Sequence, residues 1–254
     1  TVDNIDIDGA TERGIIVCNA PNSNVISAAE HTMALLLACA RRIPQADASM
    51  HAGSWERAAF TGTELYQKTL AIFGLGRIGG LVAERARGFG MRLVGHDPYC
   101  SPERAAALGV ELFESVGDIL PIADFITVHL PRTVGTRGMF GADEFAAMKD
   151  GVVLINCARG SLMDVSDVID GIEKQKFGAL GLDVIEHEDG IYHVNHTVDI
   201  ISNRDMAYIR QFPHVTMTQH MAFYTEEAVR SMVYGAVKNL RDLNKTGSSA
   251  FELF

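Results

Sequence analysis

The sequence predicts an α/β fold built on a doubly wound parallel sheet. Short runs rich in valine, isoleucine and leucine alternate along the chain with stretches of helical periodicity. Runs that are apolar on both faces and separated by helices are typical of parallel strands covered on two sides. The predicted strands are Leu70–Phe73, Arg92–His96, Phe125–His129, Val152–Asn156, Ala179–Asp183 and His214–Thr218.

Six helices are predicted between or after these strands, because their apolar residues recur at helical spacing. Strands that alternate with helices in this way indicate a parallel sheet. The predicted helices are Ile78–Phe89, Pro102–Leu108, Val116–Ile122, Ala142–Met148, Val165–Glu173 and Arg204–Gln211.

Two further helices flank this block. The first, Ala28–Arg42, is apolar nearly all round and is expected to be buried, with Ser27 and Glu30 as a capping box at its start. The second runs from Thr225 to about Leu243, and the acidic residues in its first turn suit the positive end of the helix dipole.

Composition narrows the class of protein. The 254 residues, 47% hydrophobic and 21% charged, suffice for one large domain or two small ones. A formal net charge of −10 leaves no basic surface field for nucleic acid or anionic lipid. The longest apolar run, Met33–Ala40, is too short to span a bilayer. Reduced thiols in a cytoplasmic protein, with no metal, are expected because no zinc-ligand spacing connects Cys18, Cys39, Cys100 and Cys157.

A glycine-rich loop, GLGRIG, follows the first predicted strand and opens the next helix. Gly74 permits a tight turn, Gly76 lets the backbone approach a pyrophosphate, and Gly79 allows close packing of helix on strand. The anion would lie at the start of the helix, which Arg77 and Ile78 form. The loop predicts a dinucleotide site, and a glycine turn without a ligand is the alternative.

Asp97 ends the second predicted strand, 18 positions after Gly79. A dinucleotide fold places there the acid that binds the adenosine ribose hydroxyls, and a carboxylate repels a 2′-phosphate. No Arg or Lys follows until Arg104, so NAD is favoured over NADP. The alternative is a turn aspartate before Pro98.

Three polar residues, Arg159, Glu188 and His220, follow the later strands. Because the carboxyl ends of the strands converge on the ligand crevice of a doubly wound sheet, these side chains are expected to meet. A guanidinium holds the carboxylate of a 2-keto acid in a plane, and a histidine beside a carboxylate donates a proton to the carbonyl. Taken singly, each has an ordinary alternative as a surface ion pair, a solvated acid or a structural histidine; the combination carries the hypothesis.

Three other histidines are weaker candidates. His31 lies within the buried helix and is expected to be a core or interface residue. His129, close to Pro131, is expected to line the adenine side of the site. His187 is the next acid/base candidate if His220 is not the donor.

These motifs resemble the D-isomer-specific 2-hydroxyacid dehydrogenase family, in its order and over nearly the whole chain. The resemblance implies that Arg159 binds the substrate carboxylate and carbonyl, that His220 is the acid/base and that Glu188 is its partner. It also implies cofactor contacts at His129, Pro131, Cys157 and Ala158, with Asp183 near the nicotinamide. The matching segments are Ser27–Leu37, Gly74–Gly79, Val128–Pro131, Asn156–Gly160, Gly181–Val184 and His220.

The resemblance leaves the substrate open between two subgroups. Residues 1 to about 130, with Asn19–Asn24 and Asp97–Tyr99, resemble 3-phosphoglycerate dehydrogenases. The later part, with the run Gln219–Thr225, is similar to D-lactate and D-2-hydroxyisocaproate dehydrogenases. We favour a lactate-like substrate because the later part borders it. A third alternative is a non-catalytic NAD-sensing protein or an inactive fragment.

The resemblance also implies the domain organisation. It assigns 1–26 to the hinge and a remnant of the substrate domain, 27–218 to a Rossmann-type NAD-binding domain, and 219–254 to the returning segment of the substrate domain. The substrate domain is therefore expected to be largely missing. The small-molecule partner would be a 2-keto or 2-hydroxy acid. A homodimer through Ala28–Arg42 and Ile43–Trp55 is expected, because a lone nucleotide domain would struggle to cover these apolar residues.

Overall fold

The computed structural model describes residues 5–188, 190–191, 195–197 and 201–253. The chain divides into two compact units. The larger unit is Ala29–Ala222, and the smaller combines Thr1–Ala28 with Phe223–Phe254.

Nine strands are found among the described residues, seven of them in the larger unit. They are β1 Val17–Cys18, β2 Thr69–Phe73, β3 Arg92–His96, β4 Val110–Leu112, β5 Phe125–Val128, β6 Val152–Asn156, β7 Phe177–Leu182, β8 Val215–Met217 and β9 Glu252–Leu253. All six predicted strands are present, with bounds shifted by at most two residues.

The described residues also form ten α-helices, besides short 3₁₀ turns. The helices are α1 Ile7–Glu12, α2 Val25–Arg41, α3 Ile43–His51, α4 Arg77–Gly88, α5 Pro102–Leu108, α6 Val116–Ile119, α7 Ala142–Ala147, α8 Val165–Glu173, α9 Arg204–Ile209 and α10 Glu226–Thr246. None of the helices in the described part of the chain is both long and apolar enough to cross a bilayer.

The larger unit is built on one parallel sheet with the order β4-β3-β2-β5-β6-β7-β8. The chain first winds outward from β2 to β4, then returns to the other side of β2 and winds outward again from β5 to β8. This is the doubly wound, Rossmann-like topology that the sequence predicts. The order reverses between β2 and β5, and ligands of such sheets bind at the carboxyl ends of the strands beside that point.

Both faces of the sheet are buried, as β2 illustrates. Leu70 and Ile72 pack into the apolar cluster that contains residues of α2, α4 and α5. Ala71 and Phe73, which point to the opposite face, pack into the cluster that contains residues of α6, α7 and α8. An unbroken apolar run is therefore required in this strand, because polar side chains on either face would be buried without partners.

The capping box predicted for α2 is wrong. The helix begins at Val25, so Ser27 lies inside its first turn. The Ser27 hydroxyl donates back to the carbonyl of Asn24 at 3.0 Å. The Glu30 carboxylate pairs with Arg85 at 3.1 Å instead of capping the helix. The cap predicted for α10 is present, since Thr225 Oγ1 accepts from the amide of Ala228 at 3.2 Å.

The smaller unit is held by a short antiparallel pair, β1 with β9, and by a buried asparagine. Asn239 on α10 donates from Nδ2 to the carbonyl of Asn19 at 3.0 Å, and its Oδ1 accepts from Ser249 at 2.9 Å. Because both ends of this amide are satisfied, burying it costs little. The helix also carries an exposed apolar stripe: Val233, Tyr234, Val237 and Leu240.

Packing at the glycine loop gives a prediction for stability. A Cβ on Gly79 would lie 1.9 Å from the carbonyl oxygen of Gly74, whereas one on Gly88, at the end of the same helix, would meet nothing within 4 Å. We expect Gly79→Ala to lower the free energy of unfolding by about 3 kcal/mol or more. Gly88→Ala should raise it by up to about 1 kcal/mol, because alanine has the higher helix propensity.

Urea denaturation of both variants measures this difference, and soluble yield is the second readout if Gly79→Ala does not fold. Equal unfolding midpoints for the two variants would show that the loop does not depend on this contact.

Candidate active site

The glycine loop after β2 is shaped by close contact with the end of β5. Gly74 has a φ of 94°, in the left-handed region that favours glycine. A Cβ there would also lie 2.8 Å from the carbonyl oxygen of His129. At Gly76, by contrast, a Cβ would meet nothing within 4 Å. The space over Gly76 is therefore open, and a ligand can approach its backbone.

The first turn of α4 presents main-chain donors to that space. Gly76 is the N-cap residue, and no side chain caps the helix there. The amides at the start of a helix lack partners within the helix and carry its positive dipole end. Arg77 and Ile78 thus contribute backbone donors at a site suited to an anion such as a pyrophosphate.

Asp97 lies beside this loop at the end of β3. Its Oδ2 accepts a hydrogen bond from the amide of Leu75 at 2.8 Å, and its Oδ1 accepts from Tyr99 at 2.9 Å. The carboxylate therefore faces the loop from the strand next to β2, as expected for an acid at a ribose site. It also holds the loop, which the sequence did not reveal.

Arg104 is a residue that the sequence argument left out of the site. From α5 it donates through Nε to the carbonyl of Leu75 and through Nη2 to that of Gly76, both at 3.2 Å. The guanidinium thereby braces the loop and brings a positive charge close to it. Its only signal in the sequence was its place in the helix after β3.

His129, directly after β5, packs against the glycine loop at Gly74 and Gly79. Its ring hydrogen-bonds to Thr127, and Cδ2 would lie 3.4 Å from a Cβ on Gly79. Burial lowers the pKa of His129 from 6.5 to about 4, so the imidazole is neutral at pH 7. Its contact with a cofactor, like that of exposed Pro131, stays a prediction.

Arg159 lies in a turn that a buried amide shapes. Asn156 is fully buried at the end of β6; its Nδ2 donates to the carbonyl of Arg159 and its Oδ1 accepts from the amide of Ala158, both at 2.9 Å. Arg159 Nη1 donates to the Ala158 carbonyl at 2.6 Å. These hydrogen bonds fix the backbone of the turn that carries the Arg159 side chain.

Gly160 packs this turn against the segment that follows β7. A Cβ on Gly160 would lie 2.1 Å from the carbonyl carbon of Ile185 and 2.3 Å from the amide of Glu186, so a larger residue would force the segments apart. Arg137 adds an ion pair to Glu186 at 3.2 Å. The turn of Arg159 and the segment that leads to Glu188 are therefore neighbours.

His220 and Glu188 are in direct contact. His220 Nδ1 lies 2.8 Å from Glu188 Oε1, while Glu188 Oε2 accepts from the amide of Ile185 at 3.0 Å. The carboxylate is held through both oxygens and fixes the orientation of the imidazole. Both side chains are partly exposed, so the pair is accessible to a ligand. This is the arrangement needed by a general acid/base with an orienting partner.

Asp183 makes contacts that the sequence did not reveal. Its carboxylate is fully buried and accepts from the Thr218 hydroxyl at 2.5 Å and from the amides of Met221 and Ala222 at 2.9 Å each. Burial alone would raise the pKa of Asp183, but the hydrogen bonds from His31, Thr218, Ala222 and Met221 outweigh it and lower the pKa below its usual range. Its contact with a nicotinamide stays a prediction.

The remaining histidine candidates separate clearly. His31 Nε2 lies 3.0 Å from Thr218 Oγ1 and 3.3 Å from Asp183 Oδ1, so it is a satisfied histidine of the interior, as expected. His187 is exposed and has a φ of 60°. Parts of the segment between Glu188 and His220, residues 189, 192–194 and 198–200, lie outside the described residues.

Two cysteines near the site are protonated thiols. Burial raises the pKa of Cys157 to about 12 and that of Cys39 to about 11. The Cys157 thiol is hydrogen-bonded with Thr32 on α2, so a cofactor contact at position 157 would come from the main chain. All four cysteines are free thiols.

Comparison with known proteins gives a consistent family. Residues 33–222 match a family model described as D-isomer specific 2-hydroxyacid dehydrogenase, NAD binding domain. The chain is 50% identical over 187 residues to a D-3-phosphoglycerate dehydrogenase of Methanocaldococcus jannaschii, covering 74% of this chain and 36% of that protein. It is 44% identical over 227 residues to that of Bacillus subtilis, covering 89% and 40%. The chain thus spans little more than a third of the length of such relatives.

Solved structures extend the comparison to other members. D-2-hydroxyisocaproate dehydrogenase matches with a TM-score of 0.89 and 27% identity, covering 100% of this chain and 76% of that one. Apo D-lactate dehydrogenase from Escherichia coli matches with a TM-score of 0.85 and 33% identity, covering 99% and 75%. D-lactate dehydrogenase from Aquifex aeolicus, solved with NAD and lactic acid, gives a TM-score of 0.86 and 30% identity, covering 96% and 73%.

The open space at Gly76 predicts a variant that folds but binds poorly. Gly76→Ala introduces a methyl group that meets no protein atom within 4 Å, so the free energy of unfolding should stay close to that of the parent. The methyl group would occupy the approach to the pyrophosphate. NADH affinity should therefore fall by about tenfold or more, a loss of at least about 1.4 kcal/mol.

Fluorescence titration with NADH measures this, with Gly88→Ala as the matched glycine-to-alanine control. Unchanged NADH affinity in Gly76→Ala would show that the dinucleotide does not bind at this loop.

The low pKa of His129 predicts a pH-dependent stability. The unfolded chain takes up a proton near pH 6.5, whereas the folded protein does so only near pH 4. The contribution of neutral His129 is therefore complete above pH 6.5 and is lost as the pH falls to 4, by up to about 3 kcal/mol.

Urea denaturation between pH 4 and 7.5 should show a shallower decline for His129→Gln, which cannot titrate. Parallel curves for the two proteins would mean that the folded imidazole titrates normally.

Proposed function

Because the chain belongs to the D-isomer specific 2-hydroxyacid dehydrogenase family, we propose that it takes part in hydride transfer between nicotinamide and C2 of a small D-2-hydroxy acid. The observation that carries this proposal is the 2.8 Å contact between His220 Nδ1 and Glu188 Oε1 beside the turn of Arg159. This is the acid/base set that reduction of a 2-keto acid requires.

Arg159 binds the substrate carboxylate in this proposal. A guanidinium presents parallel N–H groups that match the two oxygens of a carboxylate, which fixes both the position and the plane of the keto acid. The rigid turn formed by Asn156 limits the freedom of the arginine backbone. One face of the carbonyl is thereby held toward the hydride.

His220 moves the proton. With Nδ1 directed to Glu188, Nε2 is the ring nitrogen that gives a proton to the carbonyl oxygen during reduction and removes it from the hydroxyl during oxidation. Glu188 holds the ring in one orientation through its contact with Nδ1.

The glycine loop fits the cofactor NAD, which accepts or supplies the hydride when bound. The amides that begin α4 would hold the pyrophosphate of NAD, for which the open space at Gly76 leaves room. We assign the adenosine ribose to Asp97, whose negative charge disfavours the extra phosphate of NADP.

Two substrate classes have specific support. The identity of 50% to a D-3-phosphoglycerate dehydrogenase favours 3-phosphohydroxypyruvate. The 32-position spacing from Glu188 to His220 resembles that of D-lactate and D-2-hydroxyisocaproate dehydrogenases, which favours pyruvate or another unphosphorylated acid. We favour the lactate-like class for that reason. NADH oxidation with each acid distinguishes them.

Larger assembly is also part of the proposal. The smaller unit would belong to a substrate domain, for which the exposed stripe on α10 gives support, since further polypeptide would bury it. A homodimer would use α3 and the residues after it, where Ile43 and Trp55 are exposed. The apolar residues of α2, by contrast, are mostly buried in the chain itself.

Substitution of the acid/base and of the carboxylate ligand should give two different defects. His220→Ala should lower turnover by about 10² to 10⁴ with NADH affinity nearly unchanged, because the lost group acts on the proton. Arg159→Lys should raise KM for the keto acid as well as lower turnover, because an ammonium keeps the charge but loses the two-point contact.

Steady-state kinetics with NADH and the better keto acid measure both defects, and exposed His187→Ala is the matched histidine control. Full activity in His220→Ala would show that another residue is the acid/base. NADH binding without turnover of any keto acid by the unaltered protein would favour the NAD-sensing alternative.

A further inference from the structure

The segment that carries His220 is tied to Asp183 on both sides of the histidine. Thr218, two residues before it, donates its hydroxyl proton to Asp183 Oδ1 at 2.5 Å. Met221 and Ala222, directly after it, donate their amides to Oδ1 and Oδ2 at 2.9 Å. One buried carboxylate thus holds the backbone around His220, while Glu188 holds its ring.

These hydrogen bonds to Asp183, which we call the Asp183 tether, are needed because the backbone conformation of His220 is unfavourable. Its φ of 49° lies in the left-handed region, which is unfavourable for a residue with a Cβ. Such a conformation persists only where the surroundings impose it. The hydrogen bonds of Thr218, Met221 and Ala222 to Asp183 restrain the backbone on both sides of His220.

Proton counting gives the direction of each bond. The Thr218 hydroxyl has one proton, and the ionised carboxylate of Asp183 can only accept, so that proton lies between them. The Thr218 oxygen must then accept from His31 Nε2, 3.0 Å away on α2. His31 Nε2 also lies 3.3 Å from Asp183 Oδ1. His31 N–H therefore donates to the Thr218 oxygen and, at the longer distance, also faces Asp183 Oδ1, while the Thr218 O–H donates to Asp183.

We propose that Thr218 and His31 are positioning residues for His220, acting through the Asp183 carboxylate that holds residues 218–222. This rests on the proposed function of His220 as acid/base. Neither residue touches the reacting atoms. Their effect is to keep the imidazole at the place and angle that proton transfer needs, where a displacement of about 1 Å can cost about 100-fold in rate.

The test compares Thr218→Val, which keeps the shape and removes the hydroxyl, with Thr218→Ser, which keeps the hydroxyl. Thr218→Val should lower kcat by between about 10- and 100-fold, and Thr218→Ser should retain most of it. Thr216→Val makes the same change two positions earlier on β8, at a residue with no bond to Asp183, and is the control.

A second readout needs no turnover. In the full chain labelled with ¹⁵N-histidine, the ring signals of His220, assigned with His220→Asn, are compared at one pH. They should move in Thr218→Val and stay in place in Thr218→Ser and Thr216→Val. A purely structural role would lower the melting temperature and leave the ring signals of the folded protein unchanged.

A double-mutant cycle tests His31. If His31 acts through Thr218, adding His31→Phe to Thr218→Val should lower kcat little further, and the two effects will not add. If the His220 ring signals of Thr218→Val are the same as in the wild type, the proposal is overturned. If the effects of His31→Phe and Thr218→Val on kcat add fully, the role proposed for His31 is overturned.

If the ring signals move in Thr218→Val but His220→Ala keeps full activity, the proposed acid/base function is overturned, while the positioning of His220 through Asp183 still holds.

Discussion

The parallel sheet imposes the constraint on which the candidate site depends. In such a sheet the carboxyl ends of all strands lie at one edge, so the chain must leave every strand on the same side. The glycine loop, the Arg159 turn and the Asp183 and His220 segments follow β2, β6, β7 and β8. Residues that are more than a hundred positions apart thereby share one edge, provided that the connecting turns can pack closely. At Gly160 this packing leaves no room for a side chain, because a Cβ there would overlap the backbone of Ile185 in the segment after β7.

At the start of α4 the main chain supplies much of the positive electrostatic field. The helix start at Gly76 presents the positive end of the helix dipole, and His129, which packs against the loop, is uncharged at neutral pH. Arg104 supplies a full positive charge and donates hydrogen bonds to carbonyl groups of the loop. An anionic ligand therefore meets oriented dipoles in a site whose shape is already fixed.

The sequence predicted the strands and the helix start that a local pattern of residues determines. It did not predict features that depend on contacts between residues far apart in the chain. Apolar runs placed all six expected strands, and Thr225 placed the start of α10. The sequence missed β4, which has only three residues, and α1, which contains no buried residue. The Ser27 capping box failed because the helix begins one turn earlier. Asp183 was identified as a polar residue at a strand end, but its bonds to amides 38 and 39 positions away depend on the tertiary fold.

The two buried thiols have a practical consequence for following the protein in solution. Reagents that modify cysteine attack the thiolate, and with pKa values of about 11 and about 12 Cys39 and Cys157 have almost none at neutral pH. Cys39 is in addition buried in the apolar cluster between the sheet and α2, where a reagent has no access until these layers separate. Alkylation of Cys39, measured by mass spectrometry, therefore reports opening of the nucleotide domain without an added probe. The half-buried Cys18 and Cys100 provide the reference for reaction in the closed protein.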